Sequence, residues 1–531
     1  RKDSSDIYFE FKNLTLNYGE PEIEQKSVNL TVGSDETSRN LTWYANSETV
    51  GQVQYAKKSD MKDGQFPSEY QTADAISSQS NESGFYSNQA TMRNLDENTE
   101  YVYRVVNGET VSEEYTFQTG DFDGAFSFAF VGDPQIGAGS LPSDIQGWND
   151  TLDVIKNQLN PDFLFSAGDQ VNTANNESQY TGYLNDTFSS LTSATTIGNH
   201  DTSSAAYNEH FNLPNESAQY GATTAGSDYW FVYNNTLFMD INSNDRSAAE
   251  HKQFMQDAIA ANPDVRWKTV VFHHSIYSTA SHASDGDIID RRNELPQIFD
   301  ELDIDVVLMG HDHVYTRTYM MDGFTPDRSQ GVQSSVTNPT GILYLTANSA
   351  SGSKYYGITA PEAEYAAVQD QSKRRTVTNV EVTNTSYTMT TYFADDMSVL
   401  DTFTIYKTLN TADMESLISQ AQGLNQADYT EESWNKLQIA LKAAVELKDN
   451  VNATQSDIDA ATTALQEAID GLVKVDNQDG EVVNTGDTSD EQINGPQTGD
   501  TANAVEIVSA VSAFIAAGTI VVVLTKKKMK S

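Results

Sequence analysis

The chain has 531 residues, too many for one hydrophobic core, so several domains are expected. Its 32 basic residues against 76 acidic ones leave a formal net charge of -44, a field that repels nucleic acid and anionic lipid and argues against either as a scaffold to bind. Cysteine is absent, which removes disulfides, thiolate metal sites, iron-sulfur clusters and a thiol nucleophile, and leaves His, Asp, Glu and Asn as the ligands on offer. An anionic substrate would need a strong local positive charge, which a metal cluster supplies. The lack of cysteine also suits an exported bacterial protein.

The amino terminus, Arg1-Lys2-Asp3, has no apolar signal region, so any secretion signal is expected to have been removed or to lie outside this sequence. Residues 1–120 alternate short polar and apolar runs with turn signals, at 41–44, 50–55, 101–106 and 115–117, which predicts a small antiparallel β-sandwich. From residue 121 to 407 the pattern becomes alternating strands and helices, predicting an α/β domain. Strands are expected at 126–131, 163–167, 195–197, 229–233, 237–241, 267–272, 306–309 and 342–345, with helices at 145–159, 247–261 and 287–302. Two final strands, 386–393 and 399–407, read as a hairpin that closes the domain. Residues 408–475 turn rich in Ala, Leu, Gln and Glu with helical spacing, as in Trp434, Leu437, Leu441, Ala444 and in Ile458, Ala461, Leu465, Ile469. They predict a three-helix bundle, with caps at Asn410-Thr411 and Thr454-Gln455-Ser456 and a stop at Gly471. Residues 476–500 are an acidic linker, and 501–531 hold an apolar run, Ile507 to Leu524, followed by lysines, long enough to cross a bilayer with the basic tail in the cytoplasm.

Chemistry gathers at the strand ends of the α/β region, where ligands of such sheets collect. Gly310-His311-Asp312-His313 follows the strand 306–309, and two histidines at i and i+2 share a face and can hold one metal ion or two adjacent ones. Six of the eight histidines, His200, His273, His274, His282, His311 and His313, lie at or just beyond strand ends in this region, accompanied by Asp133, Asp169 and Asn199. Hard carboxylates with imidazoles suit Fe, Mn or Zn and are too nitrogen-rich for a calcium cage.

The ordered blocks Gly132-Asp133, Gly168-Asp169, Gly198-Asn199-His200-Asp201, Val270-Val271-Phe272-His273 and Gly310-His311-Asp312-His313 resemble the five-block pattern of calcineurin-like metallophosphoesterases. With the sandwich before them and the hairpin after, they resemble the purple acid phosphatase branch. That resemblance implies a fibronectin III-like sandwich ahead of a four-layer α/β/β/α domain that holds two divalent or trivalent transition-metal ions and hydrolyses phosphate esters, most readily monoesters, by metal-hydroxide attack. It also implies the ligands. Asp133 and His313 would take the first ion, Asp169 would bridge, and Asn199, His273 (or His274) and His311 would take the second. His282 would protonate the leaving alkoxide. His200, oriented by Asp201 or another carboxylate, would bind phosphate oxygens, and Arg317 would assist at the substrate. Two departures stand out: the family's tyrosine ligand three residues after the bridging aspartate is Asn172 here, and the histidine of an Asp-X-His first block is Gln135. The first ion is therefore expected to bind more weakly, with Gln135 or Asn172 giving a carbonyl oxygen at best.

Tyr429 to Trp434, Asn452 to Gln455 and Ala468 to Leu472 are similar to the FIVAR helical module of Gram-positive surface proteins. Pro496-Gln497-Thr498-Gly499-Asp500 before the apolar run is similar to a sortase signal, with Gly495 where leucine is usual. The resemblance implies sortase and peptidoglycan as partners, cleavage between Thr498 and Gly499, and a wall-anchored extracellular enzyme, or simple membrane retention by the apolar run. A phosphodiesterase of the same fold and a wall-anchored binding protein with an inactive phosphoesterase-like domain are the rival readings.

Overall fold

The computed structural model describes residues 23–475 apart from 449, 451 and 452. Thr498, Gly499 and the apolar run 507–524 lie outside the described residues, and among the described residues no helix is long and apolar enough to cross a membrane.

Two sheets face each other in the α/β domain. The centre of the first is three parallel strands, Phe126–Val131, Phe163–Ser166 and Ser193–Thr195. Thr376–Val382, Ser386–Phe393 and Val399–Tyr406 extend it antiparallel on one side. The second sheet carries four parallel strands in a row, Thr236–Asp240, Trp267–Phe272, Val306–Met309 and Leu343–Thr346. It is flanked by Tyr229–Tyr233 at one edge and by Tyr315–Thr318 and Ala366–Asp370 at the other.

The layering follows from the two-residue period of a strand. Phe126, Phe128 and Phe130 point into the core between the sheets, and the intervening Ala129 and Val131 point into the core outside the first sheet. In the same way Val306 and Leu308 face the inner core and Val307 and Met309 the outer one. Strands buried on both faces read as continuous apolar runs, which is why their positions could be read so closely. The outer cores are capped by the helix Leu141–Val154, through Trp148 and Leu152, and by the helices Ala248–Ala261 and Gly286–Glu301, through Phe254, Leu295 and Phe299. The order of layers is thus α/β/β/α. Each buried phenylalanine contributes roughly 1.5–3 kcal/mol, and the ring pair Phe128–Phe163 stacks at 5.1 Å.

Several boundaries and elements differ from the sequence reading, Ala366–Asp370 among them as a strand that was not expected. The strand expected at 195–197 lies at Ser193–Thr195, and the helix expected at 145–159 begins at Leu141 and passes into a π-turn at Ile155–Leu159. Thr376–Val382 is a central strand, and Tyr315–Thr318 a buried one, where no strand was expected; both are threonine-rich and too short or too polar to register as apolar runs.

The amino-terminal region is a β-sandwich. One of its sheets comprises Gln25–Val32, Arg39–Ala45, Tyr86–Met92 and Ile76–Gln79; the other is built on Gly51–Lys57 and Glu100–Asn107. Leu30, Trp43, Val53 and Tyr103 fill the space between. Gln25–Val32 also pairs in parallel with Ser193–Thr195, Thr31 opposite Ser193, so this sheet runs without interruption into the first sheet of the α/β domain.

The bundle forms as its spacing demands. Its helices are Ala412–Gln422, Glu431–Lys448 and Gln455–Asp470, with Leu437, Ala444, Ile458 and Leu465 in the core. Thr454 caps the last helix in a reciprocal box with Asp457, and Gly471 ends it.

Candidate metal centre

The first sheet delivers oxygen ligands to one crevice and the second sheet delivers nitrogens. Asp133, Asp169 and Asn199 follow the strands Phe126–Val131, Phe163–Ser166 and Ser193–Thr195; His273, His311 and His313 follow Trp267–Phe272 and Val306–Met309. Close approach of these loops depends on small residues. A Cβ on Gly310 would stand 2.6 Å from the Asp133 carboxylate, and one on Gly168, which sits at φ +102°, would stand 2.5 Å from His273 Nδ1. Gln135, Asp169, His311 and His313 all hold positive φ (+37°, +50°, +72° and +41°), a conformation that costs energy in a non-glycine residue and collects at functional sites.

His273 Nε2 lies at the focus of the donor atoms. It is 3.0 Å from Asn199 Oδ1, 3.2 Å from His311 Nδ1, 3.4 Å from Asp169 Oδ2 and 4.0 Å from Asp133 Oδ2. Ligand atoms of Asp133, Asp169 and His273 all fall within 4.8 Å of one another. His313 Nε2 approaches Asp133 Oδ2 at 3.2 Å. That oxygen is buried without a hydrogen-bond partner, the contact being near in distance but poorly aligned. The other Asp133 oxygen accepts the backbone N–H of His311 at 2.8 Å, and Asp169 Oδ1 accepts that of His200 at 2.8 Å.

Hydrogen bonds behind the rings set which nitrogen faces inward. His273 Nδ1 donates to the Ala167 carbonyl at 2.9 Å and His313 Nδ1 to the Lys354 carbonyl at 2.9 Å, so Nε2 of each points at carboxylates. Burial pulls the His273 imidazole down, yet the charges of Asp169 and Asp133 overcome it and lift it to about 9. His313 behaves alike: burial lowers it, Asp133 outweighs the burial, and the balance is upward. Burial alone would raise the Asp133 carboxyl, but His313 and His273 hold it low. For His311, burial and then the neighbouring histidines push the imidazole well below its usual range. The crevice therefore attracts positive charge at Asp133 and Asp169 and keeps a neutral imidazole beside it. An unpartnered buried carboxylate oxygen, inward-facing ring nitrogens and a field that favours a cation together fit a transition-metal centre.

The remaining expected residues divide. His274 is buried with Nδ1 on Ser243 Oγ at 2.8 Å and its ring 4.8 Å from that of His311, so His273 and not His274 reaches the focus. His200 is half-buried, its Nδ1 donating to the Asn172 carbonyl at 2.8 Å. Asp201 does not orient it. That carboxylate turns away to accept the backbone N–H of Gly198 at 2.9 Å and of Gln170 at 3.4 Å, and burial followed by the Asp169 charge pushes it well above the usual carboxylate range. His282 is partly exposed, with Nδ1 on Asp285 at 2.7 Å, its backbone N–H on Asp312 at 3.1 Å and its ring 4.6 Å from His311. Gln135 and Asn172 meet each other, Gln135 Nε2 donating to Asn172 Oδ1 at 3.3 Å, while the buried Gln135 Oε1 has no partner.

Arg317 does not enter the crevice. Its side chain is 2% exposed, Nε bonds Asp401 at 2.5 Å, and the guanidinium lies 4.5 Å over the Phe403 ring. The residue belongs to a strand that was not expected, and the period of that strand turns it into the space between the sheets.

Two residues at the crevice went unread in the sequence. The Tyr356 ring stands edge-on to His282 at 4.8 Å and to His313 at 5.2 Å, and Lys354 Nζ lies 4.7 Å over the Tyr356 ring. Both follow the strand Leu343–Thr346, which is parallel to Val306–Met309; its carboxyl end opens on the same crevice, and that placement was the available signal.

Comparison with known proteins agrees with this arrangement. Residues 126–315 match the family described as Calcineurin-like phosphoesterase, and residues 25–119 match that described as Purple acid Phosphatase, N-terminal domain. Residues 126–315 thus form a calcineurin-like phosphoesterase domain, preceded over residues 25–119 by a purple acid phosphatase amino-terminal domain. The purple acid phosphatase PPD1 from yellow lupin (Lupinus luteus) seeds superposes with a TM-score of 0.60 at 15% identity, covering 72% of this chain and 74% of that one. PhoD gives a TM-score of 0.51 at 13% identity over 71% of this chain and 89% of that one. Among curated sequences, Lacto-N-biosidase of Bifidobacterium longum subsp. longum is 41% identical over 61 residues, 12% of this chain; the chain spans only 4% of that relative's length.

Proposed function

We propose that this chain is a cell-surface phosphatase that hydrolyses phosphate monoesters with two transition-metal ions, Fe, Mn or Zn. The observation that carries the reading is the convergence of Asn199, His311, Asp169 and Asp133 donor atoms on His273 Nε2, all within 4.0 Å. Asn199, His273 and His311 would hold one ion, Asp133 and His313 the other, and Asp169 would be shared. The chemistry such ions supply when bound is Lewis-acid charge on the phosphoryl oxygens and a more acidic attacking water.

The chain's own residues do the rest. His200, fixed through Nδ1 to the Asn172 carbonyl, would offer its other nitrogen to the phosphoryl oxygens. His282, braced through Nδ1 by Asp285, holds a proton at Nε2 for the departing alkoxide. Gln135 and Asn172, bonded to each other, leave Gln135 Oε1 as a buried carbonyl oxygen without a partner; with no stronger donor than such an amide at these two positions, the ion that Asp133 and His313 would hold would exchange more readily.

Location at the surface rests on the FIVAR-like bundle and on the Thr498-Gly499 signal, with sortase joining Thr498 to peptidoglycan. The test is hydrolysis of p-nitrophenyl phosphate against bis-p-nitrophenyl phosphate by the purified chain, before and after chelation and on return of Mn, Fe or Zn. Metal-dependent turnover that favours the monoester is expected. A chain that binds its full complement of metal and hydrolyses neither ester would instead be a wall-anchored binding protein.

A further inference from the structure

We propose that Lys354 and Tyr356 form a leaving-group subsite that selects phosphate esters whose alcohol carries a second anionic group. The proposal rests on the phosphatase reading above and names the substrate class of that same site.

Tyr356 sits where the alcohol must leave. Its ring touches His282, the proton donor to the leaving oxygen, on one side and His313 on the other, at 4.8 Å and 5.2 Å. A group attached to the leaving oxygen beyond His282 therefore meets this ring. Lys354 Nζ then stands 4.7 Å over the ring, a cation held against the aromatic face. Among the described residues Lys354 makes no ion pair, in a chain that has 76 acidic residues to 32 basic ones. A lysine left unpaired at the mouth of the crevice is a positive point in a negative field, where a second anion on the substrate is drawn and held.

The segment is also fixed, as a specificity element must be. Ser349 Oγ donates to the Asp133 carbonyl at 3.1 Å, Ser353 Oγ donates to the Pro134 carbonyl at 3.2 Å, and Ser351 bonds that same carbonyl. The Lys354 carbonyl receives His313 Nδ1 at 2.9 Å. The backbone that carries Lys354 and Tyr356 is thus tied to the loop of Asp133 and to His313, and the two side chains stand in register with the reacting centre.

The experiment compares kcat/KM for 4-carboxyphenyl phosphate and phenyl phosphate in the metal-loaded full chain, as wild type, Lys354→Met and Lys354→Arg. The two esters share the phosphoryl group, so the ratio between them isolates the leaving group, and comparing that ratio among variants cancels the esters' intrinsic reactivity. In Lys354→Met the ratio should fall about three- to five-fold, the worth of one exposed ion pair. It should be restored in Lys354→Arg, and in the wild type it should shrink as salt is added. A ratio indifferent to Lys354→Met, or an equal loss on both esters, overturns the subsite alone, the latter because the lysine would then serve the phosphoryl group. Hydrolysis of neither ester by the wild type overturns the phosphatase reading and the subsite with it.

Discussion

His251 and His313 are equally buried, at 2% and 1% exposure, and both face a carboxylate. His251 lies within the helix Ala248–Ala261 with each ring nitrogen bonded, Nδ1 to Asp228 at 2.8 Å and Nε2 to the Asp245 carbonyl at 3.3 Å. His313 sits at φ +41°, bonds the Lys354 carbonyl with one nitrogen, and turns the other toward a carboxylate oxygen that lacks an aligned donor. Burial and charge pairing are common to the two; strain and an incomplete set of hydrogen bonds belong only to the second. A buried histidine whose bonds are complete stabilises the fold, and one whose bonds are incomplete in a strained loop still has a ring nitrogen to offer a ligand.

The strongest attempt to break this contrast is Asp169→Asn. Hydrolysis of p-nitrophenyl phosphate should fall about a thousand-fold, with the melting temperature little changed, because asparagine keeps the oxygen that accepts the His200 backbone N–H while removing the charge. Undiminished turnover would mean that the carboxylates of the crevice are structural after all. His282→Asn comes next. It should cost about a hundred-fold on an alkyl phosphate, whose alkoxide needs a proton to leave, and much less on p-nitrophenyl phosphate, whose phenolate does not; equal losses on the two esters would remove the proton-donor role.

Metal content sharpens the contrast within the crevice itself. After dialysis, His313→Ala should keep about one ion per chain and His311→Ala should lose affinity at the fuller site, so elemental analysis should separate the two variants. Identical stoichiometries would show that both histidines serve one ion.

The smallest effect concerns His251. His251→Ala should leave activity per folded molecule intact and destabilise the fold by about 3 kcal/mol, read from denaturant unfolding. Burial lowers the His251 imidazole, but its bond to Asp228 and the charge there raise it above 6.5 on balance. For a group raised in the folded state, the contribution is fully present below the unfolded value and is lost as pH rises through the folded one. The gap between wild type and His251→Ala should therefore be widest below about pH 6.5 and narrow as the solution is made alkaline. A gap that widens with pH would show that the pair is not held by charge.

What the sequence discloses follows the same division. Strands such as Phe126–Val131 and Val306–Met309 are buried on both faces, so unbroken apolar runs mark them, and the polar residues after them are marked in turn. Asp133, Asp169 and Asn199 could be gathered with the six strand-end histidines for that reason, although they come from both sheets; the narrower set with Asn199, His273, His311 and His313 was implied by the family resemblance. Arg317 and Asp201 were assigned by proximity to a block, and proximity along the chain does not say which way a side chain turns: Arg317 faces Asp401, and Asp201 faces the Gly198 and Gln170 amides. Lys354 and Tyr356 belong to no block. Their place depends on the pairing of Leu343–Thr346 with Val306–Met309, a contact between distant segments that local pattern does not encode.

The parallel pairing of Gln25–Val32 with Ser193–Thr195 has a practical consequence for anyone dividing the molecule. A cut near residue 120 would strip the neighbour from Ser193–Thr195, the strand whose following loop carries Asn199 and His200, and leave its backbone groups as an open template for aggregation. The same cut would remove Tyr44, whose ring stacks on His210 at 4.4 Å. The smallest fragment that keeps the loops of the candidate metal centre supported is therefore the sandwich and the α/β domain produced together.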